Sequence, residues 1–431
     1  MKVAHLYESS EPQYLHTGSA GGCPRPLYHV TIRDVTLTGI TQYYPNLLLH
    51  STDSGRVYLP MQERFMSFDR GTVYEANGMQ YDGSMQGAEL VGAVIEEPVY
   101  YFIYNVDNYY HFIYDTLPYL YTYLNLSTRP KLLMQYSAPG KSRFIRFVTE
   151  TLALLGITES DIIIHRPGNL YRSVTIQSSM THGGFSNEPP CVECFAVYKR
   201  LVEAAEHAVP DSEITPRRIY ISRRTHLHGD FSNIGTNYTQ RRKMMSEDLL
   251  VTELERRGFV EVFCENMTMA DKIVMFARAE YVVGAIGGGM CNLLFSGASG
   301  TATGTTTKSL VLLSPCFMEI NSRFRFSMDH TQIKYCHDYR LITLCDHTPP
   351  IARYMRVQVI ISGIYGEIED MVGTEVKVKL ASSTAVSVST DAATEVLFNL
   401  TQLRILDGGL NSPWDIDVTA ALRLLDETLT S

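Results

Sequence analysis

From Lys131 to Leu313 the chain alternates short apolar, β-branched runs with amphipathic stretches of helical periodicity, and this alternation restricts the fold more than any other feature. KLLMQYS reads as a buried strand, FIRFVTETLALLGI as a helix closed by Gly156, DIIIHR as a strand and CFAVYKRLVEAAEHAV as a helix. After the polar stretch Asp211–Pro216, which ends in proline and reads as a hinge, the alternation restarts. RRIYISRR is a strand running into a basic loop, SEDLLVTELERRGF a helix with Ser246 as N-cap, and VEVFCE a strand. TMADKIVMFARA is a helix capped at or beside Thr268, EYVVGAIGGG a strand entering glycines, CNLLFSG a short helix and KSLVLLS a strand. Strands and helices in alternation demand a parallel sheet, so the fold class is α/β. Two such halves joined by a hinge place a ligand in the cleft between them, beyond the carboxyl ends of the strands.

The flanks read differently. Residues 1–90 carry short alternating runs such as LYHVTIRDVTLTGI and form an irregular β-rich part. From 350, VQVIISGIYGEI, TEVKVKLA, TAVSVST and EVLFNL are period-two strands without helices between them, and VTAALRLLDETL is a terminal helix. The expected division is therefore 1–90, 91–210, 211–349 and 350–431. The run TATGTTTK (301–308) reads as a mobile loop.

Composition narrows the function classes. With 37 basic and 46 acidic side chains the net charge is −9, which speaks against a nucleic-acid partner. Locally the balance reverses: residues 217–243 hold seven basic side chains against Asp230, a concentration suited to a diphosphate. Of the eight cysteines, Cys191 and Cys194 have the spacing of half a zinc site, but no second pair follows, so no metal is expected and the cysteines read as free thiols. No signal-peptide core and no span of 18 apolar residues occurs, so the expectation is a soluble, cytoplasmic protein without a membrane span, in a reducing compartment.

Three constellations carry possible chemistry. Arg223 and Arg224 follow a strand end, where planar guanidinium forks bind phosphate oxygens, and Arg241, Arg242 and Lys243 precede a helix start; the alternative is a solvated basic loop. Gly284-Ala-Ile-Gly287-Gly288-Gly289-Met-Cys-Asn292 lets backbone N–H groups approach an anion, although it matches neither the dinucleotide fingerprint nor a P-loop. In Asn108-Tyr109-Tyr110-His111-Phe-Ile-Tyr-Asp115, a spacing of four puts His111 and Asp115 on one helix face. The pair suits proton abstraction from a hydroxyl, or it merely hydrogen-bonds within an aromatic core.

NYYHFIYDTLPYL, RRIYISRR, SEDLLVTELERRGF and MTMADKIVMFARAEYVVGAIGGGMCNLLF follow one another in the order and at roughly the distances found in glycosyltransferase family 61, which the chain resembles over about residues 90–345. The resemblance implies a GT-B fold, two Rossmann-like domains facing across a cleft, with the β-rich C-terminal part as an appendage. It implies an inverting transfer of sugar, usually from a uridine diphosphate donor, to a hydroxyl of a glycan or glycoconjugate, with no cofactor and no obligatory metal. By position, Arg223, Arg224, Arg242, Gly287, Gly288, Gly289 and Asn292 would bind the donor, and His111 and Asp115 would supply the base. Two departures stand out: Ile286 replaces a common histidine of the glycine loop, and Leu313-Ser314 stands near a glutamate of many members, with Glu319 a few residues late. They leave room for a catalytically inactive member that holds a nucleotide or glycan. Asp415-Ile-Asp417 has the spacing that holds manganese in other glycosyltransferases but lies outside the resemblance.

Overall fold

A computed structural model describes residues 13–17, 27, 29–39, 47–60, 66–76, 79–82, 92–106, 108–136, 141–178, 180, 192–209, 215–224, 244–296, 307–313, 330–336, 356–359, 365–372, 375–380, 395–399, 403–406 and 414–430. Its helices are α1 (Leu120–Asn125), α2 (Arg146–Leu154), α3 (Val192–Ala208), α4 (Glu247–Glu255), α5 (Met269–Arg278) and α6 (Val418–Thr430). The chain is a mixed α/β protein, as the alternation requires.

The first large sheet has a parallel half and an antiparallel half. Ile162–Ile164, Lys131–Met134, Val99–Tyr101 and Leu170–Gln177 lie side by side and parallel. Leu170–Gln177 then pairs antiparallel with His29–Gly39, which continues into Leu47–Ser51, Arg56–Leu59 and Met66–Asp69. The N-terminal β-rich segment is thus hydrogen-bonded directly to the first α/β sheet. Hairpin-linked strands with one polar face need no crossover helix, hence the change from parallel to antiparallel.

The second sheet contains the order Val260–Val262, Arg218–Ile221, Tyr281–Ala285, Thr307–Leu313 and His330–Cys336, all parallel, with Gln13–Thr17 antiparallel at the far edge. Tyr281–Ala285 is central, and its apolar run is buried on both faces. Leu170–Gln177 and His330–Cys336 were not expected. The former carries Arg172, Ser173 and Thr175, and this polar content hides a strand flanked on both sides.

Helices α2, α3 and α5 join the sheets in one apolar core that includes Val99, Leu133, Phe147, Tyr198, Ile221, Ile273, Val282 and Val311. Tyr198 of α3 donates to the Ile113 carbonyl at 3.0 Å and meets Phe295 edge-on at 5.9 Å, so one side chain ties a segment of each half. Gly156 closes α2 at φ +71°, a left-handed position that glycine occupies without strain. Thr268 caps α5, accepting the Asp271 N–H at 3.1 Å. Ser246 stands at the start of α4 but its side chain makes no capping bond; its N–H instead donates to Asp415 at 2.9 Å.

The C-terminal strands form a separate five-stranded antiparallel sheet in the order Glu395–Asn399, Glu375–Leu380, Tyr365–Val372, Arg356–Val359, Leu403–Leu406. The run TAVSVST lies outside the described residues. Ile368 and Val378 of this sheet enter a second core with Trp414, α4, α6 and Tyr220, Val283 and Leu310 of the second sheet. No helix among the described residues is long and apolar enough to cross a membrane.

Candidate functional site

Parallel neighbours end on the same edge of a sheet, which decides the site's geometry. Ile221 is in register with Gly284, so Arg223 and the loop Gly287–Gly289 leave the sheet side by side although more than sixty residues separate them. The Arg223 guanidinium meets that loop end-on: a Cβ placed on Gly287 would stand 2.7 Å from Arg223 Nη1 and 4.0 Å from Cζ. Gly284 is needed near the end of the strand Tyr281–Ala285, where a Cβ would meet Met290 Sδ at 2.6 Å and Ile221 Cβ at 3.0 Å. The loop leads into a 3₁₀ helix, Gly289–Phe295, whose Asn292 is buried and donates through Nδ2 to the Gly289 carbonyl at 2.9 Å.

Glu247, at the start of α4, fixes the turn from which Arg223 departs. Its Oε1 accepts from Tyr220 Oη at 2.9 Å, Ser222 Oγ at 3.3 Å and the Arg223 N–H at 2.7 Å. Burial pushes the Glu247 carboxyl up, while the Arg223 N–H and Tyr220 bonds hold it down, and burial also works against the charge of Arg223. Glu247 was not singled out in the sequence; an acid opening the helix that follows a basic strand end is the signal that could have found it. Arg224 is differently disposed. Glu261 grips its fork through two hydrogen bonds and Asp248 takes Nη1 at 2.7 Å, so the neighbouring arginines part, one toward the glycine loop and one into carboxylates.

His111 and Asp115 fall on a π-helical turn, His111–Thr116, followed by a 3₁₀ turn across Pro118 and then α1. Proline has no N–H to continue the ladder, and π turns recur at functional positions. Phe112 N–H bonds to the Asn108 carbonyl at 2.8 Å and His111 N–H to Asn108 Oδ1 at 3.3 Å, which anchors the turn's start. His111 Nδ1 and Asp115 Oδ2 are 2.5 Å apart. A carboxylate only accepts, so in that pairing the bond runs from His111 Nδ1–H to Asp115 Oδ2. Asp115 is buried, whereas the His111 side chain is 29% exposed.

Tyr109 joins this turn to the glycine loop. Its hydroxyl donates to Asn292 Oδ1 in a short hydrogen bond, and its ring lies 3.8 Å from where a Cβ of Gly288 would be. The charge of Asp115 also adds to the burial that pushes the Cys291 thiol up, which places the carboxylate near the same helix. The structure therefore brings together Arg223, Gly287, Gly288, Gly289, Asn292, His111 and Asp115. Arg242, with Arg241 and Lys243, lies outside the described residues, as do Cys191, Ser314, Glu319 and the interior of the TATGTTTK run. Ile286 and Leu313, the two departures, are buried apolar side chains. Asp415 accepts from the Ser246 and Ile416 N–H groups and Asp417 from Ala420 N–H at 3.0 Å, so both carboxylates serve as loop tie and helix cap. Among the described residues no cluster of three His, Cys, Asp or Glu side chains could hold a metal.

A strand-end arginine thus lies against a glycine loop, and Tyr109, two residues before His111, is bonded to the short helix that follows that loop. Residues 109–306 match the family model described as Glycosyltransferase 61, so this segment of the chain is similar to that family, and the match supports a glycosyltransferase. No curated protein sequence matches it. Among solved structures it is similar to the bacterial iron-containing dodecameric glycosyltransferase TibC from enterotoxigenic E. coli H10407, at 11% identity and a TM-score of 0.28, over 72% of this chain and 83% of that one.

Proposed function

We propose that the protein is an inverting glycosyltransferase that moves a sugar from a uridine diphosphate donor to a hydroxyl of a glycan or glycoconjugate, without a metal, across two facing halves of GT-B type. The observation that supports this best is the Tyr109 link, which sets the His111–Asp115 pair beside the loop against which Arg223 rests. Inversion in one displacement needs an acceptor oxygen stripped of its proton on one side of the anomeric carbon and a stabilised leaving group on the other. His111 Nε2 takes the acceptor proton, and Asp115 holds the ring in that tautomer and stabilises the imidazolium that forms. Arg223 and the amides around Gly288 receive the growing charge on the diphosphate. Arg224, held by Glu261 and Asp248, shapes the wall of the donor site and does not contact phosphate.

The test combines binding and turnover. Titrating wild type with uridine diphosphate sugars should raise its melting temperature, as any ligand of the folded state does. Asp115→Asn should keep that shift but lose at least a hundredfold in kcat, and Arg223→Ala should lose the shift itself. Transfer at the wild-type rate by Asp115→Asn would remove the base assignment. A donor shift that survives in Arg223→Ala would remove the phosphate role, and a product that retains the donor's anomeric configuration would exclude inversion.

A further inference from the structure

Lys272 is a charged side chain with no part in the transfer itself. It sits on α5 with 3% of its surface exposed, among Ile273, Val274, Met275 and Phe276, all of them core residues. A lysine in that setting carries a solvation cost that a leucine or methionine would avoid. Among the described residues no carboxylate forms an ion pair with it. Its ammonium stands 4.4 Å from the centroid of the Tyr109 ring, and its Nζ reaches Met269 Sδ at 3.7 Å. The Tyr109 hydroxyl touches the same sulfur at 3.7 Å while donating to Asn292, whose amide bonds Gly289. Lysine, tyrosine, asparagine and glycine-loop backbone thus form one continuous strut from the interior of α5 to the loop.

We propose that Lys272 is a positioning residue: its ammonium holds the Tyr109 ring by a cation–π contact and thereby keeps the Asn292–Gly289 loop in the shape that receives the donor diphosphate. Only the last step, donor binding, rests on the proposed glycosyl transfer. A desolvated cation–π contact is among the stronger of its kind because water does not compete for the ammonium. The contact exists only while the amine is protonated. Burial lowers the Lys272 pKa to about 8, opposed by Glu150 on α2 and Glu265 on the neighbouring 3₁₀ turn, with Arg146 of α2 acting in the same sense as burial; the thiol of Cys264, on the same turn as Glu265, is pushed up to about 12 by burial and stays neutral in this range. The remaining titratable groups at the strut are Tyr109 itself, pushed well up by burial, and Cys291 beside it, also pushed up, so neither changes charge in this range. The glycine loop should therefore loosen as the pH rises through about 8.

Two measurements on the full chain test this, with wild type, Lys272→Met and Lys272→Arg at pH 6.5 and 9. The first is hydrogen-exchange protection of the amides of residues 287–292, corrected for intrinsic exchange. Wild type should lose about tenfold in protection between the two pH values, Lys272→Arg should stay protected at both, and Lys272→Met should be loose at both. The second is calorimetric titration with uridine diphosphate, whose affinity should follow the same pattern by a similar factor. A Lys272→Met protein whose loop is as protected as wild type at pH 6.5 overturns the proposal, whatever happens to the nucleotide. If the exchange pattern appears but wild type binds no uridine diphosphate, the positioning role stands and the donor assignment fails. If the nucleotide binds but all three proteins bind it alike at both pH values, the link from Lys272 to the donor is refuted.

Discussion

A lysine that strengthens the site should weaken the fold, and the size of that effect follows from its burial. In the unfolded chain Lys272 has an ordinary pKa of 10.5, and in the folded protein about 8. Below pH 8 both states are protonated, and the folded state bears the full cost of a buried cation. Between 8 and 10.5 the unfolded chain binds the extra proton, so stability rises with pH through that window. At about 1.36 kcal/mol per pKa unit, the shift corresponds to roughly 3 kcal/mol at pH 7. Lys272→Met keeps the length and removes the charge, so it should be more stable than wild type by about that amount at pH 7. With unfolding entropy of roughly 2.1 cal/mol/K per residue over 431 residues, the gain reads as about 3 °C in melting temperature. The assay is scanning calorimetry of both proteins from pH 7 to 10.5, reading their difference, because every other titrating group is common to the two. The difference should be largest at pH 7 and shrink above 8. A variant that melts below wild type at pH 7, or a difference that does not change with pH, would show that the amine is compensated in the core and would refute the reasoning.

Two glycines of the loop separate function from packing. Gly287→Ala drives a methyl against the tip of the Arg223 guanidinium, the far end of a flexible side chain, so melting should change little while uridine diphosphate affinity falls toward that of Arg223→Ala in calorimetric titration. Gly284→Ala meets Met290 and Ile221 inside the core and should cost about 1–3 kcal/mol in denaturant unfolding. Asp417→Ala removes the cap of α6 and should lower stability by about 1 kcal/mol while leaving turnover with and without manganese equal to that of wild type; loss of a manganese response would instead assign Asp415 and Asp417 to a metal.

Much of the fold is written in local patterns. Alternating runs specify strands and helices because a buried parallel strand must be apolar throughout and its covering helix apolar on one face, and Tyr281–Ala285 and α5 show both. The Arg223 pair, the glycines and the His111–Asp115 spacing were legible because each is a short contiguous signature. The sequence could not say which arginine faces the loop. Arg223 and Arg224 are adjacent and alike, and only the placement of Glu261 and Asp248 beside Arg224 separates them. Nor could it show that Asp415 and Asp417 cap backbone, or that a π turn carries the histidine, since both depend on partners distant in sequence or on a backbone bonding choice that periodicity does not record. Glu247 and Lys272 look like ordinary polar residues of amphipathic helices, and their importance arises from what the fold lays over them. Residue order thus determined the elements and the chemistry available at each strand end. The tertiary structure decided which of those groups meet, because parallel register and helix packing, unlike periodicity, join residues far apart along the chain.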